Sequence, residues 1–226
     1  MRSKRTLGVV LFEGFELLDV FGPLQMFGMA ADDFEIRLIS EHGGMVASRQ
    51  GPKSVSDAAF STSPALDLLL VPGGIGTRRE VNNPVLLDWL KTRSEQAELV
   101  TSVCTGSALL AKAGVLDGVR ATTNKLAFAW ASSQSEKVLW QRRARWVEDG
   151  KFFTSSGVSA GIDLSLAVLA KLISPQAAEQ AASFAEYNWN RDAEWDPFAE
   201  LNGLVGDKGR SSWPGHSHRD QPHPLL

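Results

Sequence analysis

A single cysteine, Cys104, stands in a chain of 226 residues. It sits within AELVTSVCTGSALLAKAG (residues 97–114), where an apolar run gives way to a small-residue segment that reads as a helix. Ser102 and Gly106 lie two positions before and two after it. A chain that turns sharply from strand to helix needs small side chains at those positions, as in a nucleophile elbow. An elbow side chain projects above the carboxyl edge of a parallel sheet, where open α/β sheets bind ligands. The helix that follows offers unpaired amides and a positive dipole end, both of which favour thiolate over thiol. A free cysteine by itself reads as a small buried hydrophobe. The spacing points beyond that to chemistry.

Which chemistry depends on the proton partner. An amidotransferase or papain-like thiol needs a histidine to take its proton and to protonate the leaving group. Of the four histidines, His216, His218 and His223 crowd the end of the chain, and His42 lies in a polar connection. Only His42 could reach Cys104, from a separate loop, so amide hydrolysis and peptidase activity are poorly supported. Asp19 is the other candidate. It lies among Leu17, Leu18, Val20 and Phe21, where a lone carboxylate needs either a partner or a proton. Its simplest structural role would be to cap the helix that follows.

The elements that must position these residues alternate along the chain. LGVVLF (7–12) and LDLLLV (66–71) are continuous apolar runs, the mark of strands buried on both faces. FEIRLIS (34–40) alternates and reads as a second strand. A helix is expected over 22–30, with Pro23 at an early position where its missing amide does no harm. Residues 53–60 suggest a hairpin or edge element. The third strand runs into Pro72-Gly73-Gly74-Ile75-Gly76, a turn that lets backbone amides approach a ligand. It lacks the lysine of a phosphate loop and is not G-x-G-x-x-G, so nucleotide binding is not expected. Asn83-Pro84 opens a helix through Arg93, Asp149-Gly150 marks a hairpin, and Ser159 and Ser174 start two more helices. Asp163 falls in the first turn of one of them, where it complements the dipole. This alternation predicts an α/β fold: one domain (residues 1–190) with a mostly parallel sheet sandwiched by helices. Residues 191–226 lose periodicity and read as a partly disordered extension, whose histidines could bind metal only adventitiously.

Composition excludes several classes. A formal net charge of -3 with mixed signs gives no clustered basic face for nucleic acid. No apolar run approaches the ~20 residues of a membrane helix. The opening MRSKRTLGVVLF is basic then apolar but lacks a long apolar region and a cleavage site, so no secretory signal is expected. With one cysteine there is no intrachain disulfide, which suits a reducing compartment, and a cytoplasmic location is expected.

Four segments then combine in order: LLDVFGP (17–23), LLLVPGGIG (68–76), VTSVCTGSALLAKAGVLDGVRATT (100–123) and GVSAGIDLSLAVLA (157–170). Together they resemble the ThiJ/PfpI superfamily, whose fold is like that of class I glutamine amidotransferases. Within it, the aspartate of L-D-x-x-G-P, V-C-T-G-S and S-A-G-I-D are most similar to isocyanide hydratases. The resemblance implies a dimeric, cofactor-independent and metal-free enzyme that adds water to an isocyanide, giving an N-substituted formamide. It assigns Cys104 as nucleophile and Asp19 as the facing acid/base. The amides of Gly74 and Thr105, with Ile75 beside them, would line an oxyanion-hole-like substrate pocket.

The sequence departs from its relatives at two points. Thr122-Thr123-Asn124-Lys125 stands where relatives often read T-T-H-W, and Phe21 replaces a small or hydroxyl residue. A thiol and a carboxyl side by side should share one proton, since two negative charges would repel. That pair suits isocyanide hydration, which has no amine to expel. Two alternatives stay open: a cysteine-based redox sensor or stress protein, in which the same thiolate is oxidised rather than turned over, and glyoxalase- or deglycase-like activity on small aldehydes. The signature also occurs in the sensor halves of some transcription regulators.

Overall fold

The computed structural model describes residues 4–205; the three histidines near the end of the chain lie outside the described residues. The first strand, β1 (Arg5–Leu11), leads through a tight turn at Gly14 into α1 (Leu17–Gly28). Next come β2 (Phe34–Ser40), a hairpin of β3 (Gly44–Ala47) and β4 (Lys53–Ser56), and the short β5 (Ala58–Ala59). β6 (Leu68–Val71) runs into the glycine turn and α2 (Thr77–Glu80), and α3 (Pro84–Gln96) follows. β7 (Leu99–Ser102) then delivers Cys104 to α4 (Gly106–Lys112). The remainder is β8 (Arg120–Ala121), α5 (Phe128–Ser132), β9 (Leu139–Trp140), the hairpin β10 (Trp146–Asp149) and β11 (Phe152–Ser155), α6 (Ala160–Leu172), α7 (Pro175–Phe184) and α8 (Pro197–Leu201).

Seven strands form the central sheet in the order β10-β11-β7-β6-β1-β2-β5, parallel except for the β10–β11 hairpin. β1 and β6 register Val9 against Leu70, and β6 and β7 register Val71 against Ser102. All four residues of β6 and all four of β7 are buried. Their apolar and small side chains leave polar groups to the carboxyl edge, where the chain turns. This is the arrangement expected from the alternating pattern: an α/β fold with a mostly parallel sheet and flanking helices.

Two boundaries differ from the sequence expectation. α1 begins at Leu17, one turn earlier than the proline suggests, so Asp19 lies inside its first turn rather than ahead of it. Glu16 holds the N-cap position without a side-chain hydrogen bond, and Asp19 therefore caps nothing. Past residue 190, the described chain as far as residue 205 is held by hydrogen bonds. The Arg145 amide donates to the Ala193 carbonyl at 2.8 Å, and the Asp196 amide donates to the Arg143 carbonyl at 2.8 Å. Asp196 then caps α8 by accepting from the Phe198 amide at 3.0 Å. The segment lacks helical periodicity because it is held by backbone bonds and one cap rather than by an apolar stripe.

Candidate active site

The elbow is built from close backbone approach. A side chain on Gly106 would place its Cβ 2.1 Å from the Val71 carbonyl oxygen, so the first turn of α4 can sit against β6 only with glycine there. The turn forces Cys104 to a φ of 57°, a left-handed conformation uncommon outside glycine. Four hydrogen bonds hold it there. Its amide donates to the Ser156 carbonyl (2.9 Å), and the Val103 amide donates to that of Val71 (3.0 Å). The Cys104 carbonyl accepts from the hydroxyls of Thr123 (3.0 Å) and Ser107 (3.1 Å).

Asp19 reaches the elbow from α1. Its side chain is fully buried, and Oδ2 accepts the Gly73 amide at 2.8 Å. Oδ1 has no hydrogen-bond partner, while the Cys104 thiol lies within reach of the carboxyl as a donor. Gly73 must be glycine: a Cβ there would lie 2.5 Å from the Thr105 amide and 2.9 Å from Asp19 Oδ2. Among the described residues no cation stands beside Asp19 to offset its burial. Desolvation therefore pushes its pKa from 3.8 up to about 8, with Glu16 adding to the effect and the Gly73 amide opposing it. Asp19 is an acid at neutral pH.

The thiol moves the same way. Burial and the Asp19 charge push Cys104 well above an ordinary cysteine, against the pull of the Thr105 and Val158 amides and the Asn124 side chain. The expectation that the elbow depresses this thiol is thus reversed, because desolvation outweighs the donors at the helix start. As a unit the pair loses a first proton near the Asp19 value and then carries one negative charge between sulfur and carboxylate.

Two residues at the sulfur were not singled out from sequence. Asn124 accepts the Ala127 amide on Oδ1 (3.0 Å), which leaves its amide nitrogen for the sulfur. The signal was present, since Asn124 stands where relatives often carry histidine. Val158 has a φ of 39°, an outlier for a β-branched residue, and its amide also faces the sulfur. Next to Asn124, Lys125 is buried and donates to the Thr122 hydroxyl (2.7 Å) and the Ala144 carbonyl (2.5 Å), fixing this loop. Burial lowers its pKa to about 8.

The pocket above Cys104 measures about 80 Å³ and is lined by Gly74, Ile75, Thr105 and Asn124, with Glu16 and two arginines at its wall. Gly74, Ile75 and Thr105 thus meet at the thiol. The Gly74 amide, however, donates to the Thr105 hydroxyl at 3.1 Å, so the donors that face the sulfur are Thr105, Val158 and Asn124. His42 is exposed and lines a different cavity of about 450 Å³ beside β1 and β2, which shares no residue with the first. In that cavity the Asn83 side-chain amide donates to Glu41 (2.7 Å) and to Glu80 (2.9 Å). Among the described residues no cluster of metal-ligating side chains occurs, and no helix is long and apolar enough to cross a membrane.

A parallel sheet whose strand-to-helix elbow carries a strained cysteine, faced by a buried acid, defines a cysteine-centred α/β protein. A match to the DJ-1/PfpI family spans residues 5–171, and the chain belongs to that family. It is 33% identical to an isonitrile hydratase of Pseudomonas putida over 80% of this chain and 78% of that protein. It is also 32% identical to the HTH-type transcriptional regulator CdhR of Pseudomonas aeruginosa, covering 76% of this chain but 52% of the regulator. Among solved structures, a ThiJ/PfpI family protein from Pseudomonas syringae superposes with a TM-score of 0.74 at 30% identity, covering 83% and 77% of the two chains.

Proposed function

We propose that the protein is a cofactor-independent hydratase that converts an isocyanide and water into an N-substituted formamide. The observation that carries this reading is the buried Cys104–Asp19 pair, with three donors on the sulfur and His42 far out of play. The similarity to an isonitrile hydratase supports it.

In the reactive state the pair has lost one proton, and the thiol hands its own to the Asp19 carboxylate as it attacks, so that thiolate faces carboxylic acid. Sulfur attacks the terminal isocyanide carbon, forming a carbon–sulfur bond while Asp19 delivers its proton to that carbon. The product is a thioimidate and Asp19 is now a carboxylate. Asp19 next takes a proton from water as the oxygen adds to the carbon, and relays it to the nitrogen. Collapse of the tetrahedral adduct expels the Cys104 thiolate and returns the hydroxyl proton to Asp19. Formamide leaves and the pair is restored. No amine is expelled, so no histidine is needed. The Thr105 and Val158 amides and Asn124 hold the charge on sulfur between attack and expulsion.

The protein acts as a homodimer in this proposal, through α1, where Leu18, Phe21 and Met29 leave large apolar side chains exposed. Light scattering at micromolar protein tests this, and a monomer rejects it. Catalysis is tested by incubating the protein with a simple alkyl isocyanide and following formamide. Cys104→Ser should abolish the product, because a serine hydroxyl without a strong base is a poor nucleophile. A wild-type protein that leaves every isocyanide intact rejects the reading.

A second reading has its own support. The same three donors on the sulfur would also cradle the oxygens of a sulfinate, as a peroxide-sensing cysteine requires. It predicts stoichiometric addition of oxygen to Cys104 at low peroxide, seen by mass spectrometry, and no turnover of isocyanide.

A further inference from the structure

The pocket above Cys104 carries a charge that the proton chemistry does not use. Arg78, on α2, lines it together with Cys104, Thr105 and Asn124. Its guanidinium carbon lies 3.4 Å from the centroid of the Trp130 ring on α5. Stacking at that distance holds the planar cation flat and leaves its N–H edges to bond elsewhere. Among the described residues those edges meet no carboxylate and no other hydrogen-bond acceptor.

The other charges of the wall are accounted for. Glu16 faces Arg49, with Oε2 and Nη1 3.9 Å apart, and Gln50 donates to the other oxygen of Glu16. Asp19 beneath them is neutral at pH 7. The wall therefore presents one net positive charge, the Arg78 cation. That cation is partly desolvated, and it lines the same pocket as the Cys104 sulfur.

We propose that Arg78 is a specificity-determining residue that selects substrates carrying a carboxylate next to the reacting carbon. On the hydratase reading, these are short α-isocyano carboxylates. A carboxylate can take two N–H groups from one edge of a guanidinium, which fixes orientation as well as charge. A pocket of about 80 Å³ admits only a few heavy atoms, so the anionic group and the reacting carbon must be close. Trp130 acts as the platform that keeps Arg78 from swinging to solvent.

Two measurements on the whole chain test this, and they separate the inference from the reading beneath it. The first is alkylation of Cys104, the chain's single thiol, by iodoacetate and by neutral iodoacetamide. Arg78→Gln should lower the iodoacetate-to-iodoacetamide rate ratio about tenfold or more, the scale of a charge-assisted hydrogen bond, and Arg78→Lys should restore part of it. If both rates fall together and the ratio stays fixed, Arg78 only tunes the thiol and the proposal is overturned. The second is turnover of isocyanoacetate and isocyanoacetamide. Arg78→Gln should raise KM for the carboxylate and leave the amide nearly unchanged; equal effects on both overturn the proposal. If the wild type consumes neither isocyanide while the alkylation ratio still depends on Arg78, carboxylate selection stands and the hydratase reading falls.

Discussion

Two aspartates, Asp19 and Asp163, are equally removed from water, and the protein treats them in opposite ways. Both side chains are fully buried. Asp163 on α6 is met by Arg145, whose Nε and Nη2 lie 2.7 Å and 2.6 Å from Oδ2. Its other oxygen accepts the Asn190 amide (2.9 Å) and the Tyr187 hydroxyl (3.1 Å). Burial pushes the Asp163 pKa upward, and Arg145, Asn190 and Tyr187 pull against it. Because the guanidinium keeps its proton, the two form an ion pair. Asp19 receives one amide and no cation, and its pKa rises to about 8. One carboxyl is neutralised by a partner and ties α6 to the segments before β10 and after α7. The other is neutralised by a proton that can leave. Burial alone does not make a carboxyl reactive; burial without a counter-charge does.

Removing each charge should therefore have opposite consequences. Asp19→Asn keeps the shape but cannot move a proton, and should lower isocyanide turnover by about 10²–10⁴, the usual worth of a positioned acid/base. Its circular dichroism spectrum should match wild type. Full turnover in this variant would break the comparison.

Asp163→Asn, by contrast, strands Arg145 in the interior and should destabilise the fold by about 3–5 kcal/mol in denaturant titration. Turnover by the protein that remains folded should change little. A neutral effect on stability would mean that water reaches Arg145.

The pH dependence of stability sharpens the same contrast. The unfolded chain releases the Asp19 proton at its ordinary value of 3.8, whereas the folded protein keeps it to about 8. Between those values the unfolded state binds fewer protons, so this group's contribution to stability falls as pH rises. In Asp19→Asn that fall should flatten, leaving the variant more stable than wild type near pH 8. Urea midpoints across this range check it, and parallel curves would show that Asp19 is already ionised.

At the small end, His42→Ala should leave turnover unchanged, since the ring is exposed in the other cavity. A dead His42→Ala variant would move the proton chemistry away from Asp19.

The parts of this site that were legible in the sequence are those fixed by local sterics. Small residues on either side of Cys104, the apolar run before Pro72-Gly73-Gly74 and the caps at Asn83 and Ser174 each act within a few residues, and the structure shows them where expected. What escaped depends on side-chain reach across the fold. Asp163 reads as a dipole partner from its place in a first turn; only the fold brings Arg145 against it. Arg78 and Trp130 are far apart in the chain, and their stacking exists only once α2 and α5 pack around the elbow. The direction of the Cys104 shift was also out of reach, because the helix start is visible in sequence and the degree of burial is not.

The central claim is that Cys104 and Asp19 titrate as one unit that sheds its first proton near pH 8 and then shares the one that is left. The direct test is the rate of Cys104 alkylation by iodoacetamide as a function of pH, in wild type and in Asp19→Asn. The account predicts that the wild-type rate rises through a step near pH 8, where the pair loses its first proton, and that Asp19→Asn loses this step. Superimposable curves for the two proteins would contradict it.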